Sequence, residues 1–152
     1  MSGPGDGLAF AVTDQPSLED VAFIEDAKAR PYDRRPLHVF LRDVEGRTMG
    51  GLTGETNWQW LYVDCLWLPD DRRGGGWGVR LLEAAEEEAR RRGCRHIRLF
   101  SYSFQAPGFY EKLGYQVFGV LEGYPPGEKQ VWLRKDLYAS DACLSERPTI
   151  SP

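Results

Sequence analysis

Apolar residues recur along this chain with two periods, and the switches between them mark out the elements. Leu81, Leu82, Ala85 and Ala89 return every three or four residues among Glu and Arg, the spacing of a helix with one buried face. Gly93 follows Arg90-Arg91-Arg92 and predicts the end of that helix, the arginines suiting the negative end of its dipole. Ahead of it, Trp60 to Leu68 reads as a strand, apolar from Val63 onward apart from Asp64 and stopped by Pro69-Asp70. Asp64 precedes Leu66 by two residues and Leu68 by four, so a regular pleat puts all three on one face.

The same reading covers the rest. Leu8 to Thr13 alternates loosely and predicts a first strand. Ser17-Leu18-Glu19-Asp20 has the form of a capping box, with a helix to about Ala29 and a stop at Arg30-Pro31. Leu37 to Arg42 and Arg47 to Thr53 predict a hairpin about Glu45-Gly46, with Gly50, Gly51 and Gly54 weakening or bulging the second strand before a loop carrying Glu55, Asn57 and Trp58. Arg95 to Tyr102 alternates around Ile97 and Leu99, and Ala106 to Leu113 predicts a short helix opening near Pro107 and ended by Gly114. Tyr115 to Leu121 and Gln130 to Leu137 are the last two strands, joined through Tyr124-Pro125-Pro126-Gly127. The order is β-α-β-β-β-α-β-α-β-β, an α/β chain of the α+β kind whose mixed sheet carries helices on its faces. Residues 1–137 are expected to form a single domain, and 138–152, without periodicity, a C-terminal tail.

Composition narrows the function classes. At 152 residues, 41% of them hydrophobic, the chain can bury a core without metals or disulfides. A net charge of −4 argues against a general nucleic-acid or membrane-surface binder. No run approaches the length of a membrane span, and Met1 to Gly7 lacks the basic-then-apolar pattern of a signal peptide. Cys65, Cys94 and Cys143 are odd in number and widely spaced, which fits no zinc site and suggests reduced thiols in a cytoplasmic protein. Exposed edge strands leave a homodimer possible.

Between the predicted strand and the long helix lies Asp70-Asp71-Arg72-Arg73-Gly74-Gly75-Gly76-Trp77-Gly78. Free N–H groups at a helix start, glycines without Cβ and adjacent arginines suit a phosphate or pyrophosphate group better than a mere flexible turn. A Walker A loop is excluded, because no lysine closes the motif. A dinucleotide fingerprint is excluded, because Val79 and Leu81 stand where it needs Gly or Ala.

Arg73-Gly74-Gly75-Gly76-Trp77-Gly78 resembles the Q/R-x-x-G-x-G/A acetyl-CoA signature of the GNAT superfamily of N-acetyltransferases. Phe109-Tyr110, three residues, then Gly114-Tyr115 is similar to that family's F-Y-x-x-x-G-F/Y pattern. Tyr124-Pro125-Pro126-Gly127 followed by Trp132-Leu133-Arg134-Lys135-Asp136-Leu137 looks like a small bacterial single-domain branch, with Glu128 where that branch often has histidine. The resemblance implies an acetyl-CoA-dependent N-acetyltransferase in which Leu66, Trp67 and Leu68 pair with pantetheine. It also implies that Arg73, Gly74, Gly75, Gly76, Trp77, Gly78 and Val79 hold the pyrophosphate. Tyr110 then protonates the departing CoA thiolate, a role a neutral phenol can fill. Ser103 stands near the family's cofactor-binding asparagine, and Ser103 and Gln105 are its expected replacements. No metal is implied.

For the proton leaving the amine, Asp64 is the candidate base, an ordinary hydrogen-bonded strand aspartate being the alternative, with Tyr62 and Glu55 behind it. His38 and His96 read as structural. The acceptor pocket is expected from the first helix, from Glu55, Asn57 and Trp58, and from the hairpin carrying Glu122, Tyr124 and Glu128. Such an aromatic and acidic lining suits a cationic amine: an amino acid derivative, a polyamine or an amine-bearing antibiotic. A protein N-terminus or lysine, a non-catalytic acyl-CoA sensor, and other thioester chemistry on the same fold are the competing readings.

Overall fold

The computed structural model describes residues 7–27 and 33–138. The chain divides into two units, Met1–Pro31 and Tyr32–Pro152. In the first, α1 (Leu18–Asp26) starts as the capping box predicts. The Ser17 hydroxyl oxygen accepts the Asp20 N–H at 3.0 Å, and the hydroxyl donates to the Asp20 carboxylate at 2.7 Å. The helix is shorter than expected, with Ala27 as its C-cap, and Arg30-Pro31 lies outside the described residues. The predicted strand at Leu8 to Thr13 is a correction: those residues form no strand, and Leu8, Phe10 and Val12 are exposed. Alternation favours a strand only where a neighbouring ladder accepts it.

Among the described residues the second unit holds six strands and two α-helices: β1 (Arg35–Arg42), β2 (Thr48–Asn57), β3 (Trp60–Trp67), α2 (Trp77–Arg91), β4 (His96–Tyr102), α3 (Pro107–Lys112), β5 (Gln116–Glu122) and β6 (Lys129–Asp136). They form one sheet in the order β1-β2-β3-β4-β6-β5. Every pairing is antiparallel except β3 with β4, which α2 connects as a crossover. Apart from the first strand, the predicted order of elements is the observed one. No described helix is long and apolar enough to cross a membrane.

The core lies between α2 and one face of the sheet. Leu82, Ala85 and Ala89 meet Leu37, Leu52, Leu61, Val63, Ile97, Leu99 and Leu133 there, all nearly or fully buried. Two alanines on the buried stripe let the helix lie close to the strands. Arg92 extends from its last turn to the Pro36 carbonyl at 2.9 Å and the Thr56 hydroxyl at 3.2 Å. The one carboxylate on the buried stripe, Glu86, accepts from the Tyr115 hydroxyl at 2.9 Å and from the Lys135 ammonium at 3.1 Å. Burial and this carboxylate push the Tyr115 phenol far above its ordinary pKa, so it stays a donor.

β2 is longer than predicted. Glu55 and Asn57 are strand residues, and the connection is the tight turn Trp58-Gln59, both at positive φ. The register of β2 on β3 shifts: Gly54 faces Val63 and Thr53 faces Cys65, which leaves Asp64 as an extra residue in a β-bulge. A Cβ at Gly54 would come 2.3 Å from the Tyr62 carbonyl oxygen, so β3 passes where only glycine leaves room. Gly54→Ala should therefore destabilise the protein by about 1–3 kcal/mol, read from the urea midpoint. Gly108→Ala, in open space on α3, should hold or raise that midpoint. Equal midpoints for the two variants would refute the close-approach account.

Candidate active site

The bulge decides which side chains share a face. Before it, Leu61 and Val63 point into the core; after it, Leu66, opposite Leu52, and Leu68 do. The extra residue resets the alternation, so the expectation that Asp64 shares a face with Leu66 and Leu68 is corrected. Asp64 lies on the other face, where it accepts a long hydrogen bond of 3.4 Å from the Tyr62 hydroxyl. Burial, and next the Asp64 charge, push the Tyr62 phenol upward.

The bulge also coincides with the end of the parallel pairing. β3 and β4 pair from Trp60/His96 to Val63/Leu99 and no further, while β4 continues on β6 to Tyr102. The stretch Cys65–Trp67 thus keeps β2 on one side and has no strand on the other. Main-chain polar groups of that stretch are therefore left without a ladder partner on the β4 side.

Beyond β3, a single 3₁₀ turn (Asp70–Arg72) leads into the glycines. Gly74 and Gly76 both take φ of +81°, and Gly76 caps α2 from that left-handed conformation. The first bond into the helix runs from the Arg80 N–H to the Gly76 carbonyl at 3.1 Å. The N–H groups of Trp77, Gly78 and Val79 therefore point out of the helix start, and no acidic residue occupies its first turn. Arg73 folds back on the strand end, donating to the Leu68 carbonyl at 2.9 Å and pairing with Asp70 at 3.1 Å. A Cβ on Gly78 would lie 3.2 Å from the Phe109 ring and 3.9 Å from Leu68, so the starts of α2 and α3 and the end of β3 meet at this residue.

Tyr110 follows Phe109 on α3. Its ring packs edge-on to Phe109 at 5.2 Å and to Tyr115 at 5.8 Å, and its hydroxyl has no hydrogen-bond partner among the described residues. Burial first, and the nearby Cys65 second, push its pKa upward. Ser103 and Gln105 are occupied locally. The Ser103 hydroxyl donates to Glu128 and accepts the Lys129 N–H at 2.9 Å, while the Gln105 side-chain oxygen accepts the Tyr102 N–H at 3.0 Å. They fix the loop that enters α3 against the β5–β6 hairpin.

On the face that carries Asp64 lies a cleft of about 520 Å³, with a hollow of about 300 Å³ beside it. Glu55, Asn57 and Trp58 line the cleft, and Tyr62 and Glu55 border both spaces, with Asp64 in the hollow. Asn57 Oδ1 is buried there with no partner among the described residues. Two expectations are corrected. Tyr124 is not in the cleft; it stacks on Tyr102 at 6.4 Å. The lining is not acidic, since Glu55 is paired with Arg34 at 2.7 Å and the other charges are Arg98 and Arg134. Glu122 and Glu128 do not line the cleft. Sequence reading missed Trp60, Arg98, Phe118 and Arg134. The signal was available, because Arg98 alternates with the core residues Ile97 and Leu99 and so faces away from them.

The comparisons with known proteins can be set beside this geometry. The sequence model of the Acetyltransferase (GNAT) family matches residues 9–115. The chain belongs to the GNAT family of acetyltransferases. It is 41% identical over 109 residues to the blasticidin-S acetyltransferase of Streptomyces morookaense, covering 69% of this chain and 80% of that one. A crystal structure of an acetyltransferase from Bacillus cereus ATCC 14579 superposes with a TM-score of 0.72 at 30% identity, over 83% of this chain and 97% of its own. Another, of an acetyltransferase from Agrobacterium tumefaciens, gives 0.72 at 33% identity over 85% and 99%. In this GNAT domain the start of α2, the start of α3 and the end of β3 meet at Gly78, Phe109 and Leu68.

If the bulge holds the split open, deleting Asp64 should restore a regular β2–β3 ladder. The deletion variant should fold with a stability within about 1 kcal/mol of the parent. Amide exchange in Cys65–Trp67 should slow as β4 closes on β3. Unchanged exchange in a folded variant would show that the split does not depend on the bulge.

Proposed function

We propose that this GNAT acetyltransferase moves the acetyl group of acetyl-CoA onto a primary amine of a small molecule within a ternary complex, and that residues 1–137 form its single catalytic domain. The observation that carries the reading is that the start of α2, with its free N–H groups, meets the end of β3 and the start of α3 at Gly78, while Tyr110 of α3 lies near Cys65 on the unpaired stretch of β3. The 41% identity to an enzyme named for a small antibiotic supports a small acceptor over a protein chain. The family match running from residue 9 to residue 115 supports one domain across the division at Pro31.

Each group then has a task. The N–H groups of Trp77, Gly78 and Val79 hold the pyrophosphate, with Arg73, Gly74, Gly75 and Gly76 shaping the turn around it. The exposed edge at Leu66, Trp67 and Leu68 receives the pantetheine and orients the thioester. The amine arrives from the opposite face, where Asp64 beside Tyr62 accepts its proton. As the nitrogen–carbon bond forms and the carbon–sulfur bond breaks, Tyr110 donates its proton to the departing thiolate, so one proton leaves the amine and one reaches sulfur. Ser103 and Gln105 act by holding the loop before α3, with the free amide of Gln105 left to contact the cofactor. No step needs a metal.

Titration with CoA and acetyl-CoA tests the binding half. Gly76→Ala meets only open space but must adopt the left-handed region, so it should weaken both ligands by about tenfold and cost about 1 kcal/mol of stability. Unchanged affinity would remove the pyrophosphate assignment. Tyr110→Phe tests the acid: kcat should fall by about 10²-fold with acetyl-CoA affinity retained. Because burial raises the Tyr110 pKa, the phenol keeps its proton beyond its ordinary value of about 10, so wild-type kcat should show no alkaline loss below that pH. A Tyr110→Phe enzyme with wild-type kcat would exclude the role.

A further inference from the structure

We infer that the cleft beside Asp64 selects acceptor amines that carry a carboxylate on a flat apolar body, with Arg98 and Arg134 receiving the carboxylate. The inference rests on the acetyltransferase reading for the amine and on the cleft's own geometry for the anion.

Arg98 on β4 and Arg134 on β6 are direct cross-strand partners on the open face, and both line the cleft. Like charges directly opposite each other on a sheet repel, so the pair is a standing cost in the empty protein. Arg98 has no carboxylate partner among the described residues. Its guanidinium lies 4.3 Å over the Tyr62 ring and 5.7 Å from that of Trp132. Arg134 lies 4.9 Å over the Trp60 ring, with a 3.5 Å contact to Asp136, whose carboxylate is already bound by His96 at 2.6 Å. Glu55 offers no neutralisation, because Arg34 answers it. The cleft thus holds surplus positive charge, laid flat on aromatic rings.

A guanidinium stacked on a ring presents its N–H edge and is ordered before a ligand arrives, which suits a planar carboxylate. Trp58, Trp60, Tyr62 and Phe118 supply flat apolar walls between the charges. Tyr62 is Arg98's partner across the strands, and Asp64 follows two residues on. The backbone positions of Asp64 and Arg98 are therefore on the order of 8 Å apart, from strand rise and spacing. An acceptor with its amine at Asp64 and its carboxylate at the other end of a ring spans that interval. A polyamine would put a second cation against the two arginines.

The test uses full-length protein saturated with CoA, titrated calorimetrically with 4-(aminomethyl)benzoate and with 4-(aminomethyl)benzamide, which differ in the anionic group. The benzoate should bind at least about tenfold tighter, and Arg98→Gln should erase the difference while leaving CoA affinity unchanged. Arg134→Gln should reduce it, and provides the readout should Arg98→Gln fail to fold. Equal affinities, tighter binding of the benzamide, no saturable binding of the benzoate, or a preference that survives both substitutions would overturn the inference. CoA release from acetyl-CoA, read in separate CoA-free samples with the same two amines, separates the two readings. Benzoate-selective binding without transfer to any amine leaves the anion cleft standing and sinks the acetyltransfer assignment. Transfer that favours the benzamide does the reverse.

Discussion

The approach of Gly54 to the Tyr62 carbonyl is the constraint from which the site follows. Only glycine fits there, and opposite it β3 carries one residue more than β2. That extra residue, Asp64, divides β3 into two halves of opposite phase. The first half lays Trp60 and Tyr62 on the open face, and the second turns Leu66 and Leu68 inward. It also stands where β3 and β4 cease to pair. A single insertion thus sets a carboxylate on one face and opens a main-chain edge beside it, two features that a regular ladder could not place so close together.

The opening would close or wander without supports on its far side. Gly78 lets the Phe109 ring against the start of α2, which ties the glycine turn to the helix bearing Tyr110. Glu86, Tyr115 and Lys135 bind the middle of α2 to the segment after α3. A buried carboxylate is tolerated only when its oxygens are answered, and here a phenol and an ammonium answer them. Arg92 fastens the other end of α2 to β1 and β2. The helix start is therefore positioned by contacts at three points along the helix, and the groups that face the opening do not need to hold it in place.

Much of this was legible because it is local. The period of α2, its glycine start, the Ser17 cap and the Phe109-Tyr110 helix are each determined by residues within a few positions of one another. What the sequence hid is non-local. Alternation assigns faces on the premise of a regular pleat, and the premise fails at Asp64, so every residue after it was assigned to the wrong side relative to that carboxylate. Glu55 reads as a free acid in the sequence, and it is Arg34, 21 residues away, that binds it. Arg98 and Arg134 become a pair only through strand register. Leu8 to Thr13 shows the converse error, alternation with no ladder to receive it.

The chain's net charge of −4 runs against the anionic cofactor of the proposed function and the anionic acceptor of the inference above. The conflict dissolves with distance. Charges more than about 8 Å apart in physiological salt are largely screened, so the total matters little to a group already at the surface. What such a group meets at α2 is a set of fixed N–H dipoles with no acid in the first turn. In the cleft it meets two guanidinia stacked on rings, with the only lining acid already paired to Arg34. The many glutamates of α2 are spent differently: Glu87 and Glu88 pair with arginines of the same helix. Acidic composition and anion recognition coexist because acids such as Glu55, Glu87 and Glu88 are compensated where they stand, while the first N–H groups of α2 and the Arg98 guanidinium have no carboxylate beside them among the described residues.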